Sequence, residues 1–188
     1  MGAPYRGILE RLAGADGLLG LLARLVFAAT LLVYFWASAR TKLGDGLVGL
    51  FPPSAGAHVQ IFPRAMEAVS YDASQLETWH RAVVLAGTLA EFLLPLLIVA
   101  GLLTRLAALG MIGFIALQTM TDLHGHGAID EPATLGAWFD RVPDSAIMDQ
   151  RIFWIFVLIV LVVKGPGPLS LDRLLSRRTW LRRQAPPG

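Results

Sequence analysis

The chain has 188 residues, 55% of them hydrophobic and only 16% charged, with a formal net charge of +2. Soluble domains carry about 25% charged residues, so this balance predicts one polytopic membrane domain with little room for a separate soluble one. The absence of cysteine excludes disulfides, thiolate metal sites, iron–sulfur ligation and a dithiol relay within the chain, and there is no nucleotide, phosphate-loop or nucleic-acid motif.

The segment Met1 to Gly17 carries Arg6, Glu10, Arg11 and Asp16 and lacks the short apolar core of a cleaved signal peptide. Span one is predicted over about 18–38, close to the roughly 20 residues a helix needs to cross a bilayer. It contains Arg24 and closes with Tyr34 and Trp36, followed by Arg40 and Lys42 as anchors. The first outer loop, Thr41 to Thr78, holds a mixed apolar and polar stretch from His58 to Val69. That stretch reads as a short interfacial helix or re-entrant segment broken at Pro63.

Span two, about 79–103, opens at His80 and holds Glu91 at mid-depth. A carboxylate there costs about 2.5–3.5 kcal/mol on insertion scales, so it needs a partner inside the protein. Pro95 lacks an N–H, which strips the Glu91 carbonyl of its intrahelical donor and predicts a kink. The Thr104-Arg105 link makes spans two and three antiparallel neighbours. Span three covers about 106–123.

The second outer loop, Gly125 to Asp149, is acidic, with Asp130, Glu131, Asp140 and Asp144, and its Trp138 and Phe139 are expected to dip into the interface. Span four is unusual. Its apolar run, Ile152 to Val163, is roughly 18 Å long, too short to cross. A helix over 146–164 would drag Asp149, Gln150 and Arg151 inside. Gly165-Pro166-Gly167-Pro168 then stops the helix, and Ser170 reads as the N-cap of an amphipathic tail over 170–183.

These elements predict an all-α fold, a four-helix transmembrane bundle with short interfacial helices, in contact with membrane lipids. The excess of Lys and Arg in the tail after span four places both termini in the cytoplasm of a bacterial inner membrane. Counting 1.5 Å per residue from the cytoplasmic ends puts Glu91 roughly 18–20 Å deep, level with Thr30, Gln118 and Arg151, and puts Arg24 about 9 Å lower. Arg24 and Arg151 are thus the expected cationic partners of Glu91, with Arg151 preferred on depth. Two readings stay open: a buried network that fixes helix packing, or a site for a polar or redox-active small molecule such as a quinone head group.

The histidines offer a second centre. Asp122, His124 and His126 at the outer end of span three have the residue types for copper or zinc. His80 and His124 could bracket a haem iron. The competing reading is that interfacial histidines simply cap helix ends and meet water.

In order and spacing, four segments resemble the DoxX family of small four-helix bacterial membrane proteins, within the wider DoxX/DoxD-like group. They are Arg24 with the exit Ser38-Ala39-Arg40-Thr41-Lys42, the embedded Glu91, the link from Gly101 through Thr104-Arg105 to Leu109, and the ending from Gly165 to Asp172. The likeness spans about Leu18 to Leu175. Ala39 departs from the usual glycine, and the second outer loop is longer than a minimal member has. The resemblance implies an accessory or quinone-interacting subunit of a membrane redox system, served by soluble or membrane redox partner proteins. The alternatives are a metal- or small-solute-handling membrane protein using His124, His126 and Asp122, and a non-catalytic scaffold.

Overall fold

Apolar residues four apart on the first helix, Phe27, Leu31 and Phe35, make one buried stripe, and the fold grows around it. The computed structural model describes residues 14–44 and 53–176. Arg6, Glu10, Arg11 and the tail basic residues Arg177, Arg178, Arg182 and Arg183 lie outside the described residues. The described chain is helical, with no strand. Helix α1 (Asp16–Thr41) is followed by short helices α2 (Ala55–Ile61) and α3 (Pro63–Ala68), then by α4 (Thr78–Ala100) and α5 (Thr104–Gly125). A single turn, α6 (Pro132–Leu135), precedes α7 (Gln150–Lys164).

Three helices are long and apolar enough to cross a membrane: α1, α4 and α5, with 26, 23 and 22 residues and mean hydropathies of 2.2, 2.3 and 1.5. Their outward faces are apolar too. Val33 is 72% and Leu117 70% exposed, the pattern of a surface meant for hydrocarbon rather than water. Helix α7 lies against α1 and α5, while α4 packs on α5 and on the second half of α1. The core joins Phe27, Leu31 and Phe35 to Ile98 of α4, Met111 and Ile115 of α5, and Leu158 and Leu161 of α7. Helix α1 changes partner along its length, from α7 to α4. A π-helical segment, Ala28–Leu32, sits at that change. The wider turn re-aims the side chains that follow it.

The link between α4 and α5 is tight because Gly101 adopts the left-handed conformation, φ 69°, which costs glycine nothing. Its N–H bonds the Ile98 carbonyl at 3.1 Å and the Leu102 N–H bonds the Leu97 carbonyl at 2.9 Å, closing the helix end. Asp172, arriving from beyond α7, caps the start of α5. Its carboxylate accepts from the backbone of Leu103 (2.7 Å) and Thr104 (3.0 Å) and from the Thr104 hydroxyl (2.9 Å). The Asp172 N–H returns a bond to the Gly101 carbonyl at 2.8 Å. Ser170 accepts from the Arg173 N–H at 3.2 Å, as an N-cap does, and residues 171–176 are helical.

One sequence expectation changes. The fourth helix does not extend back to 146. It begins at Gln150 and has 15 residues, about 22 Å. Residues 146–149 form a turn because their donors are taken elsewhere. The N–H groups of Ile147 and Met148 bond the carbonyls of Thr134 and Leu135 at 3.2 and 2.9 Å. Ser145 and Asp149 exchange side-chain and backbone hydrogen bonds. Helix α4 is continuous through Pro95. The expected break before Pro63 does occur, at Phe62, with φ −128° and ψ 58°.

Asp172→Ala removes three acceptor bonds from the start of α5. A lost cap costs about 0.5–2 kcal/mol, so the thermal midpoint in detergent should fall while the helical circular-dichroism signal of the folded state stays unchanged.

Candidate functional site

The buried charge on α4 finds its partner at the far end of α1. Ser38 and Lys42 are four residues apart, so both lie on one face of that helix. The Lys42 ammonium donates to Glu91 Oε2 at 2.9 Å and Oε1 at 3.0 Å, to Ser38 Oγ at 2.8 Å and to the Ser38 carbonyl at 3.3 Å. Ser38 Oγ donates to Glu91 Oε1 at 3.2 Å. Lys42 is 5% and Glu91 3% exposed. Next to the carbonyl that Pro95 leaves without a donor, the Phe92 carbonyl accepts from the Trp36 indole at 3.2 Å. Helices α1 and α4 are thus pinned by charge and by hydrogen bonding at one level.

This corrects the expected pairing with Arg151 or Arg24, and the reason is register. The depth count assumed that all helices start at one plane. The structure sets Gly101, at the inner end of α4, against Arg24 and Ser170, and Arg24 lies about 12 Å along α1 from Asp16. Helix α4 therefore ends part-way along α1 rather than at its first turn, and Glu91 is met by Ser38 and Lys42 near the end of α1. Arg24 donates to the Pro166 carbonyl at 3.0 Å. Arg151 is buried, donates to Thr119 Oγ1 at 2.7 Å and is ion-paired with Asp122. Thr30 bonds the Val26 carbonyl on its own helix and is exposed, away from Glu91. Gln118 donates to the Tyr34 hydroxyl at 3.2 Å.

Between α4 and α5, beneath α2, lies a cavity of about 860 Å³. Small residues make the space: Ala86, Gly87 and Ala90 on α4, and Gly110, Gly113 and Ala116 on α5. A Cβ added at Gly113 would meet nothing within 4 Å. The polar groups on the wall are Ser38, Lys42, Gln60, Glu91, Gln118, Thr121, Asp122 and His126, so the Lys42–Glu91 pair and one member of the Arg151–Asp122 pair contribute. Gln118 Oε1 is buried without a hydrogen-bond partner, a state that costs about 1–3 kcal/mol unless something fills it.

The expected metal cluster is not assembled. Among the described residues no group of three His, Asp or Glu side chains is placed to hold a metal ion. The physical reason is prior commitment: Asp122 is engaged by Arg151, and His126 Nε2 is 2.9 Å from the Gln60 carbonyl. His124 is exposed on the π-helical final turn of α5. His80 stacks on Trp79 with ring centroids 3.7 Å apart and meets the edge of Phe62 at 4.8 Å. His80 Nδ1 is buried without a hydrogen-bond partner.

Sequence reasoning took Lys42 for an interfacial anchor and gave Ser38 no role. The signal that could have found them is their i, i+4 spacing at the helix exit, the only arrangement there that aims a hydroxyl and an ammonium the same way. Comparisons with family models, curated proteins and solved structures give no match to this chain.

Glu91→Ala leaves the Lys42 ammonium buried and uncompensated, a loss of about 3–5 kcal/mol. The single variant should purify in low yield with a sharply lowered thermal midpoint, and Glu91→Ala combined with Lys42→Met should recover much of it. Recovery by Arg151→Met instead would point back to the original pairing.

Proposed function

We propose that this is a DoxX-like four-helix protein of the bacterial inner membrane, with both termini cytoplasmic, serving as an accessory, quinone-interacting subunit of a membrane redox system. The observation that carries the reading is the cavity between α4 and α5. Its volume of about 860 Å³ falls within the roughly 300–1,000 Å³ of small-molecule sites, which are mostly apolar with a few placed polar groups. A small-residue wall suits an isoprenoid chain or substituted ring, and the Lys42–Glu91 end suits a polar head group.

The membrane placement has its own support. Helix α7 is about 22 Å long, shorter than the roughly 30 Å hydrocarbon layer. Its first residues hold the buried Arg151 paired with Asp122, so the polar entry to this helix sits in protein rather than in lipid. Arg105, Lys164 and Arg173 gather at the end where α4 meets α5 and α7 stops, with the further basic tail following. Arg40, Lys42, Arg64, Arg81 and Arg141 are spread over the other end. The concentrated side is the cytoplasmic one by the positive-inside rule.

Two experiments test this. The protein is purified directly into nanodiscs with native lipid, and solvent extracts are assayed for isoprenoid quinones. The wild type should carry quinone near one per chain and Gly113→Leu, which fills open space, should not. Equal quinone in both, or none in either, rejects the cavity as a quinone site. For topology, Arg178→Cys in this cysteine-free chain should react with a membrane-impermeant maleimide only after the cells are opened.

A further inference from the structure

The hydrogen-bonding capacity of the cavity wall is lopsided. Lys42 has three N–H groups, and four acceptor atoms already surround them: Glu91 Oε1 and Oε2, Ser38 Oγ and the Ser38 carbonyl. The Ser38 hydroxyl is spent on Glu91. His126 Nε2 faces a carbonyl, that of Gln60, so this nitrogen carries the proton and Nδ1 of the neutral ring is an acceptor. Gln118 uses its amide nitrogen on Tyr34, which leaves Oε1 buried and unpartnered. Arg151 engages only Oδ2 of Asp122, so Oδ1 is open. The donors of Lys42 and Ser38 are all committed. The wall's open positions are acceptors, apart from the Thr121 hydroxyl and the second hydrogens of the Gln60 and Gln118 amides.

We propose that the cavity recognises a head group that donates hydrogen bonds, and therefore takes the reduced, dihydroxy form of an aromatic amphiphile in preference to its oxidised, dicarbonyl form. This rests on the reading of the cavity as a quinone-class site and names the redox form it holds. A phenolic O–H satisfies Gln118 Oε1, which has no hydrogen-bond partner in the structure. A carbonyl in the same place sets lone pairs against lone pairs, beside two carboxylates, and leaves that acceptor unsatisfied. Buried acceptors discriminate strongly between partners that can donate and partners that cannot, because a mismatch strands a desolvated polar group. The hydrogen-bonding groups on the wall then favour binding of the reduced ligand over the oxidised one. Such a site is filled by enzymes that reduce the ligand elsewhere in the membrane.

The test uses the full chain in nanodiscs of synthetic phosphatidylcholine. The probes are a radiolabelled decyl-substituted 1,4-benzoquinone and, under anaerobic reduction, its hydroquinone. The reductant has no disulfide to attack in a chain without cysteine. The hydroquinone should bind the wild type at least tenfold more tightly than the quinone. Gln118→Met should erase most of that preference by weakening the hydroquinone alone. Tyr34→Phe, which frees the Gln118 amide nitrogen to turn inward, should narrow the preference by strengthening the quinone. Equal affinities in the wild type, or tighter quinone binding, overturn the donor-head inference and leave the cavity reading standing. Binding of both forms that persists unchanged in Gly113→Leu overturns the cavity reading itself.

Discussion

Hydrocarbon cannot solvate a charge, and in this molecule the need to pair Glu91 sets much of the arrangement around it. An isolated carboxylate at that depth is costly. Lys42, held by Ser38 and capping both carboxylate oxygens, answers it from another helix. The pair fixes how far α4 slides along α1, because its members reach each other only at one offset. The Trp36 bond to the Phe92 carbonyl marks the same offset independently. Such a pair need not stabilise the protein relative to an apolar replacement of both members. Its contribution is register.

The opposite end of the bundle is held by backbone and small residues rather than by buried charge. Asp172 caps α5 and bonds the Gly101 carbonyl, while Arg24 holds the Pro166 carbonyl. Gly20 lies so close to the Gly165 carbonyl that a side chain there would overlap it. The chain leaving α7 is therefore wrapped under the α4–α5 link. That link stands beside Arg24, part-way along α1. Clamp and ion pair are two ends of one constraint on α4.

With α4 pinned to α1 at Glu91 and to α5 at Gly101, the region between α4 and α5 nearer α2 is left to small side chains. Alanine and glycine do not fill it, and the cavity follows. The π-helical final turn of α5, Thr121–Gly125, brings Asp122 to the cavity wall while Arg151 holds it from α7. The cavity thus lies against two ion pairs, Lys42–Glu91 and Arg151–Asp122, whose donors are turned to their own carboxylates.

The sequence alone determined the helical class, three of the four predicted membrane-length helices, the break at Pro63, the tight α4–α5 turn and the need of Glu91 for a partner inside the protein. Each is local. Hydropathy, proline, and a charge in an apolar run act within a few residues of themselves. The pairing of Glu91 was not legible, because partner choice depends on the axial offset between helices, and residue counting assumes that offset to be zero. The start of α7 was misjudged for a related reason: Ile147 and Met148 give their N–H groups to Thr134 and Leu135, a competition that no window of sequence around them reveals. The cavity, too, belongs to the tertiary structure. Glycines and alanines on two helices become a space only when packing decides that nothing else will fill it.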